Sequence, residues 1–192
     1  MNLPNLITVS RLVLTAAVFL CLEWTTDPQQ PEAVLVWWAF VLFLIAAFSD
    51  FLDGYLARRW QMVTAFGRVA DPFADKVLIS GCFVTLLQFP AVTLNHTLTT
   101  WYVVVVIARE FLVTAIRGVV EASGRPFPAD KLGKWKMVTQ CWTVGALMTM
   151  VAGSQLWIWA AVWGFWVSLT LTVVSGVNYV WKARDVLFGG AR

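Results

Sequence analysis

Residues 50–76, DFLDGYLARRWQMVTAFGRVADPFADK, join two long apolar segments of the chain. Asp50 and Asp53 are three residues apart, and Asp71 and Asp75 are four apart, so each pair shares one face of a helix. Charged side chains are costly at membrane depth and usually mark function or pairing. The stretch therefore predicts two neighbouring helices that gather four carboxylates near one end.

The composition of the whole chain is typical of a membrane protein. Its 192 residues are 59% hydrophobic and 13% charged, whereas a soluble domain carries about 25% charged residues. No Ser/Gly/Pro-rich linker divides the chain, which predicts a single membrane domain over residues 1–192. The apolar runs are continuous rather than alternating, which favours helices over a β-barrel.

Apolar segments and the distribution of cations predict six transmembrane helices, each of about 20 residues. Lysine and arginine are absent from 23–32, 88–100 and 153–157, and both residues favour the cytoplasmic side of short loops. If these stretches are outer loops, both termini are cytoplasmic, and Pro72 falls in the first turn of the third span. The chain is expected to be an all-α integral-membrane protein with spans at roughly 10–24, 33–57, 72–89, 99–120, 134–153 and 157–181.

Several polar side chains outside the acidic stretch are expected to have no chemical role. The three cysteines lack the spacing of a disulfide framework or a zinc site. His96 falls on an expected outer loop, while Glu121, Arg125 and Asp130 are expected to be solvated loop charges. Basic residues alternate with the spans instead of forming one patch, which argues against a nucleic-acid partner.

Four carboxylates at helical spacing suit a hard divalent metal. Oxygen ligands at this density fit Mg²⁺, Mn²⁺ or Ca²⁺ and fit zinc poorly. Magnesium leaves coordination positions for substrate phosphates, so a phosphate-bearing ligand is expected beside it. Gly54 and Gly67 would allow close approach of a ligand, and Arg58 can bind phosphate through two hydrogen bonds. The alternative is a structural ion-pair network with nearby Arg and Lys, which the spacing of all four aspartates disfavours.

The spacing of these residues is similar to the signature of the CDP-alcohol phosphotransferase family. The resemblance implies that family's fold, a pair of Mg²⁺ or Mn²⁺ ions, and Asp75 as the base on the acceptor hydroxyl. It also implies that Asp75 shares in metal binding with the other three aspartates. The matching positions are Asp50, Asp53, Gly54, Ala57, Arg58, Gly67, Asp71 and Asp75. By the same resemblance, CDP-diacylglycerol contacts Asn5, Thr8, Gly54, Arg58, Thr64 and Gly67.

Further segments resemble the phosphatidylglycerophosphate synthase branch of that family. This implies transfer of a phosphatidyl group from CDP-diacylglycerol to sn-glycerol 3-phosphate, with CMP as the second product. It also implies a homodimer in the bacterial inner membrane, with the active site facing the cytoplasm. The segments are LPNLIT at 3–8 with Arg11, ARE at 108–110 with Arg117, and the basic stretch 131–136 with Gln140.

An acceptor that carries its own phosphate needs cations beside the metal site, and Arg109, Lys131 and Lys134 are the candidates. Arg109 could instead pair with Glu110 or an aspartate, and the lysines could serve only topology or attraction to anionic lipid. Other acceptors remain open, namely phosphatidylglycerol, inositol phosphate or serine. A divalent-cation transporter is the alternative from another class, because intramembrane carboxylates also line ion paths.

Overall fold

The protein is described by a computed structural model that covers residues 3–25, 27–60, 65–124 and 130–187. Within these ranges, the side chains of 3–7, 50–60, 65–69, 71, 155 and 187 are not described. The described residues form helices and contain no strand. The helices are α1 (Leu3–Glu23), α2 (Ala33–Trp60), α3 (Ala65–Leu86), α4 (Pro90–Thr93), α5 (Thr100–Ala122), α6 (Lys131–Val151), a 3-10 turn (Gln155–Trp157) and α7 (Ile158–Leu187).

The long helices of the described chain fall where the sequence predicts apolar spans. Helices α1, α2, α3, α5, α6 and α7 are 21 to 30 residues long. The prediction of an all-α fold is therefore confirmed. By length and composition, one described helix, Ile158–Val186, could cross a membrane, and Ala33–Ser49 is a shorter apolar helix.

The prediction that Pro72 opens the third helix is wrong. Helix α3 begins at Ala65 and encloses Pro72. Proline lacks an N–H group and removes one hydrogen bond from a helix interior, but membrane helices tolerate it where neighbouring groups satisfy the freed backbone. Asp71 and Asp75 consequently lie inside α3 rather than at its first turn.

The helices pack as two groups that share one core. Helix α1 contacts α2 and α3, α7 contacts α5 and α6, and α2 and α3 contact α6. An added Cβ at Gly164 of α7 would lie 2.7 Å from Oγ1 of Thr143 on α6, so this pair of helices approaches closely. Small residues at such crossings are typical of helices packed in a membrane. Each long helix contributes to the core, for example through Val18, Phe43, Phe83, Val106, Leu147 and Phe165.

The outer surface of the bundle is largely apolar. Trp159 is 74% exposed and Phe111 is 73% exposed, and further exposed tryptophans occur on α2, α5, α6 and α7. Soluble monomers rarely expose contiguous apolar patches of more than a few hundred Å². A surface of this kind fits contact with lipid hydrocarbon.

Candidate active site

The four aspartates of the acidic stretch lie on two helices that touch. Asp50 and Asp53 belong to α2, Asp71 and Asp75 belong to α3, and these helices contact each other and α1. The side chains of Asp50, Asp53 and Asp71 lie outside the described part of the chain, so their role as metal ligands stays a prediction. The predicted contacts of CDP-diacylglycerol with Asn5, Gly54, Arg58, Thr64 and Gly67 also stay predictions. Thr64 lies outside the described residues, and the other four are described by their backbone alone.

Asp75 is held by an arginine of the first helix. Nη1 of Arg11 donates a hydrogen bond to Oδ1 of Asp75 at 3.0 Å. The Arg11 side chain is fully buried, whereas 24% of the Asp75 side chain is exposed. A buried cation needs a partner, so this ion pair orients the carboxylate and ties α1 to α3. Thr8, one turn before Arg11, is also buried.

A cation cluster, which we define as Lys76, Arg109, Glu110 and Lys136, joins α3, α5 and α6. Nη1 of Arg109 donates to Oε1 of Glu110 at 3.0 Å, and Nζ of Lys136 donates to the same oxygen. Nζ of Lys76 donates to Oγ1 of Thr114, one turn beyond Glu110 on α5. Since Lys76 directly follows Asp75 on α3, the cation cluster adjoins the last of the four aspartates in the sequence.

The described side chains of the cation cluster carry a surplus of positive charge. Three cations and one carboxylate leave a formal charge of +2. Arg109 does form the pair with Glu110 that is the alternative to phosphate binding, but this carboxylate is shared with Lys136. Nε of Arg109 is buried and has no hydrogen-bond partner among the described atoms. Arg109 and Lys136 are largely buried and share the single carboxylate of Glu110, whereas Lys76 is partly exposed. Buried charges need counter-charges, and the arrangement therefore suits an anion such as a phosphate monoester.

Arg109 is fixed in place by the last helix. Its Nη2 donates to Oγ of Ser175 at 2.9 Å, and its guanidinium carbon lies 5.6 Å from the ring centroid of Tyr179. An added Cβ at Gly176 would lie 3.2 Å from Cγ of Arg109, so the arginine stem packs tightly on α7. These contacts orient the guanidinium before any ligand binds.

The structure places the two lysines proposed for acceptor binding outside the cation cluster. Lys131 and Lys134 are exposed on the first turn of α6, whereas Lys136 is 6% exposed and reaches Glu110. Sequence reasoning did not assign Lys136 or Lys76 to the acceptor phosphate. The spacing of Lys136 and Gln140 could have indicated the burial of Lys136. Two polar residues four apart lie on one face of a helix, and in the structure that face of α6 is buried.

The prediction that Asp130 is a solvated loop charge is wrong. Its Oδ1 accepts a hydrogen bond from the backbone N–H of Lys131 at 2.8 Å, which caps α6. Its Oδ2 accepts hydrogen bonds from Nζ of Lys182 at 3.1 Å and from Nδ2 of Asn178. The hydrogen bond from Lys182 holds the pKa of the Asp130 carboxyl below its usual value. An aspartate just before a helix is a common cap, and this signal could have identified it.

The other residues for which the sequence predicts no chemical role are not among the described side chains of the site. Glu121 is exposed at the end of α5, and Arg125 lies outside the described residues. His96 is exposed on a turn, with a φ of 52°. Among the cysteines, Cys82 is buried and the other two are half-buried.

Comparison with known proteins agrees with the signature in the acidic stretch. A family model described as CDP-alcohol phosphatidyltransferase matches residues 1–174. The chain is 36% identical to a CDP-diacylglycerol–glycerol-3-phosphate 3-phosphatidyltransferase of Bacillus subtilis, with 97% of each chain covered. It is 34% identical to a probable phosphatidylglycerophosphate synthase of Mycobacterium tuberculosis, covering 100% of this chain and 85% of that one. The chain therefore belongs to the CDP-alcohol phosphatidyltransferase family.

Proposed function

We propose that this chain transfers the phosphatidyl group of CDP-diacylglycerol to sn-glycerol 3-phosphate, giving phosphatidylglycerophosphate and CMP. The two similar bacterial proteins are named for this activity. This chain matches 97% of the length of one and 85% of the length of the other. The observation that supports an acceptor with its own phosphate is the cation cluster, whose surplus charge begins one residue beyond Asp75. Serine, a net-neutral acceptor, does not fit that charge, and the names of the similar proteins favour sn-glycerol 3-phosphate among the phosphate-bearing acceptors.

The donor side of the site is assigned to α1, α2 and α3. Four aspartates on two contacting helices would supply a set of carboxylate ligands that suits Mg²⁺ or Mn²⁺. Two bound ions would polarise the diphosphate and stabilise the departing CMP. We assign Asp50, Asp53 and Asp71 as ligands, with Asp75 sharing in the site. Contacts with CDP-diacylglycerol are assigned to Asn5, Thr8, Gly54, Arg58, Thr64 and Gly67.

Asp75 is assigned the proton transfer. Its carboxylate accepts the proton of the acceptor hydroxyl as that oxygen attacks the phosphorus of the phosphatidyl group. A new phosphorus–oxygen bond forms to the acceptor, and the bond to the oxygen of CMP breaks. Arg11 supports this role because it fixes Oδ1 of Asp75 at 3.0 Å while the carboxylate stays partly exposed.

The acceptor phosphate is assigned to the cation cluster. Arg109, Lys136 and Lys76 would bind its oxygens, and Arg109 can do so with little rearrangement because α7 already orients it. The exposed Lys131 and Lys134 lie on the first turn of α6, where they would attract the anionic acceptor before it binds. Direct contact of these two lysines with the bound phosphate is part of the same proposal.

We further propose that all six long helices cross the bacterial inner membrane, with both termini and the active site on the cytoplasmic side. The cation-free stretches 23–32, 88–100 and 153–157 would then lie outside. Reporter fusions within 88–100 and after Arg192 test this topology, and a cytoplasmic signal from the first fusion would contradict it. A homodimer is expected, and cross-linking in native membranes would detect it.

An acceptor panel tests the proposed activity against its alternatives. Purified protein with labelled CDP-diacylglycerol and a divalent metal is expected to release CMP with sn-glycerol 3-phosphate. Phosphatidylglycerol, inositol phosphate and serine are expected to give little release. A preference for one of these three would reassign the acceptor. No CMP release with any acceptor, together with metal flux into vesicles, would favour a transporter.

A further inference from the structure

Tyr179 of α7 lies at the junction of three helices behind the cation cluster. It is 3% exposed, and the face of its ring lies against the guanidinium of Arg109 on α5. Its hydroxyl oxygen accepts a hydrogen bond from Nη2 of Arg117 at 3.3 Å and one from the backbone N–H of Asp130 at 3.1 Å. One side chain of α7 therefore contacts two residues of α5 and the residue that caps α6.

Asp130 completes the connection between α6 and α7. Its carboxylate caps α6 through Lys131 and binds Asn178 and Lys182 of α7. Lys136 lies less than two turns into the helix that Asp130 caps. The contacts of Asp130 with α7 therefore fix the start of α6, and with it the position of Lys136. The ring of Tyr179 packs against Arg109 and helps to fix the position of its guanidinium.

We propose that Asp130 and Tyr179 are positioning residues that hold Arg109 and Lys136 at the spacing required by the phosphate of the acceptor. This rests on the proposed function, in which the cation cluster binds that phosphate. Neither residue needs to touch the substrate. Their contribution is to fix two cations from different helices before the acceptor arrives, which lowers the cost of ordering them on binding.

A purely structural role is the competing explanation, because caps and buried hydroxyls also stabilise helix packing. Tyr102 supplies a matched control. It is fully buried on α5, and its hydroxyl shares a hydrogen bond of 2.7 Å with Ser168 of α7. Tyr102→Phe and Tyr179→Phe therefore make the same chemical change at a buried α5–α7 contact. Tyr102 lies seven residues before Arg109, about 10 Å along the helix axis.

The test measures Tm in detergent, kcat, and the KM for each substrate in both variants and the parent protein. Tyr179→Phe keeps the ring against Arg109 but removes the acceptor for Asp130 and Arg117. We expect it to raise the KM for sn-glycerol 3-phosphate about two- to tenfold, the range for one ordinary hydrogen bond. The KM for CDP-diacylglycerol should stay unchanged. Both variants should lower Tm by a similar amount, because each loses one buried hydroxyl. Tyr102→Phe, however, should leave both KM values unchanged.

A second pair of variants tests Asp130 in case Tyr179→Phe fails to fold. Asp130→Asn keeps a cap for α6 but replaces the Oδ2 acceptor of Asn178 and Lys182 by an amide N–H₂ donor. Asp130→Asn and Asp130→Ala should therefore both raise the KM for sn-glycerol 3-phosphate, because both break the link between the cap and α7. Asp27→Ala is the control, since Asp27 accepts a backbone N–H from Gln29 at 2.8 Å in an exposed turn. That change should leave both KM values unchanged.

The outcomes separate the positioning role from the proposed function. Equal KM values in Tyr179→Phe and the parent, or the same rise in Tyr102→Phe, would overturn the positioning role. An equal effect of Asp130→Ala on both substrates would also overturn it. A parent protein that releases CMP with other acceptors but not with sn-glycerol 3-phosphate would remove the proposed function itself.

Discussion

Replacing Arg109 by alanine should weaken binding of sn-glycerol 3-phosphate without preventing folding. The change lowers the surplus charge of the cation cluster from +2 to +1 and leaves Glu110 paired with Lys136. Loss of a hydrogen bond to a charged group costs about 1.5–3 kcal/mol, and each 1.4 kcal/mol is about tenfold in binding. The KM for sn-glycerol 3-phosphate should therefore rise by about ten- to a hundredfold, with a smaller effect on the KM for CDP-diacylglycerol.

The assay for this prediction is release of CMP over a range of each substrate and of the divalent metal. Arg184→Ala is the control, because Arg184 is a half-exposed cation of α7 that pairs with Asp185 at 3.5 Å. Exposed pairs contribute about 0–1 kcal/mol, so this variant should behave like the parent protein. An unchanged KM for sn-glycerol 3-phosphate with a shifted metal midpoint would refute the reasoning. Arg109 would then balance the charge of the aspartates instead.

The other predictions concern the acidic stretch. Asp50→Asn, Asp53→Asn and Asp71→Asn should each remove most activity in membrane-inserted protein, because each loses a charged ligand of a shared metal site, and the combined losses should not add. Near-normal turnover of any one at low Mg²⁺ would contradict that assignment. Asp75→Asn should lower kcat strongly and leave the affinity for CDP-diacylglycerol largely intact, as measured by donor binding and turnover. A loss confined to donor affinity would exclude Asp75 as the base, and the exposed Asp185→Asn serves as the control for all four.

Much of the helical architecture could be predicted from the sequence, because apolar runs of the length of a membrane span are interrupted by short polar stretches. The start of α3 could not. Proline is common in the first turn of a helix, so the sequence predicts that the helix starts near Pro72 and not at the residues before it. In the structure α3 continues back to Ala65, since packing in a bundle can outweigh the loss of one backbone hydrogen bond.

The acidic stretch could be recognised because its spacing is local, whereas the cation cluster depends on how distant helices face each other. Lys131, Lys134 and Lys136 lie close together in the sequence and have the same side chain. The orientation of α6 in the bundle buries Lys136 and leaves the other two exposed. The ion pair of Arg11 with Asp75 joins residues 64 positions apart. No local pattern identifies such a pair, although a lone arginine at the start of an apolar span needs a partner.

The most direct measurement uses two labels in one reaction, on the cytidine of CDP-diacylglycerol and on the phosphate of sn-glycerol 3-phosphate. The predicted result is equal amounts of labelled CMP in water and labelled phosphate in the lipid fraction. Both should disappear when the divalent metal is removed. Release of CMP without incorporation of the second label, or incorporation that persists without metal, would contradict the proposed transfer.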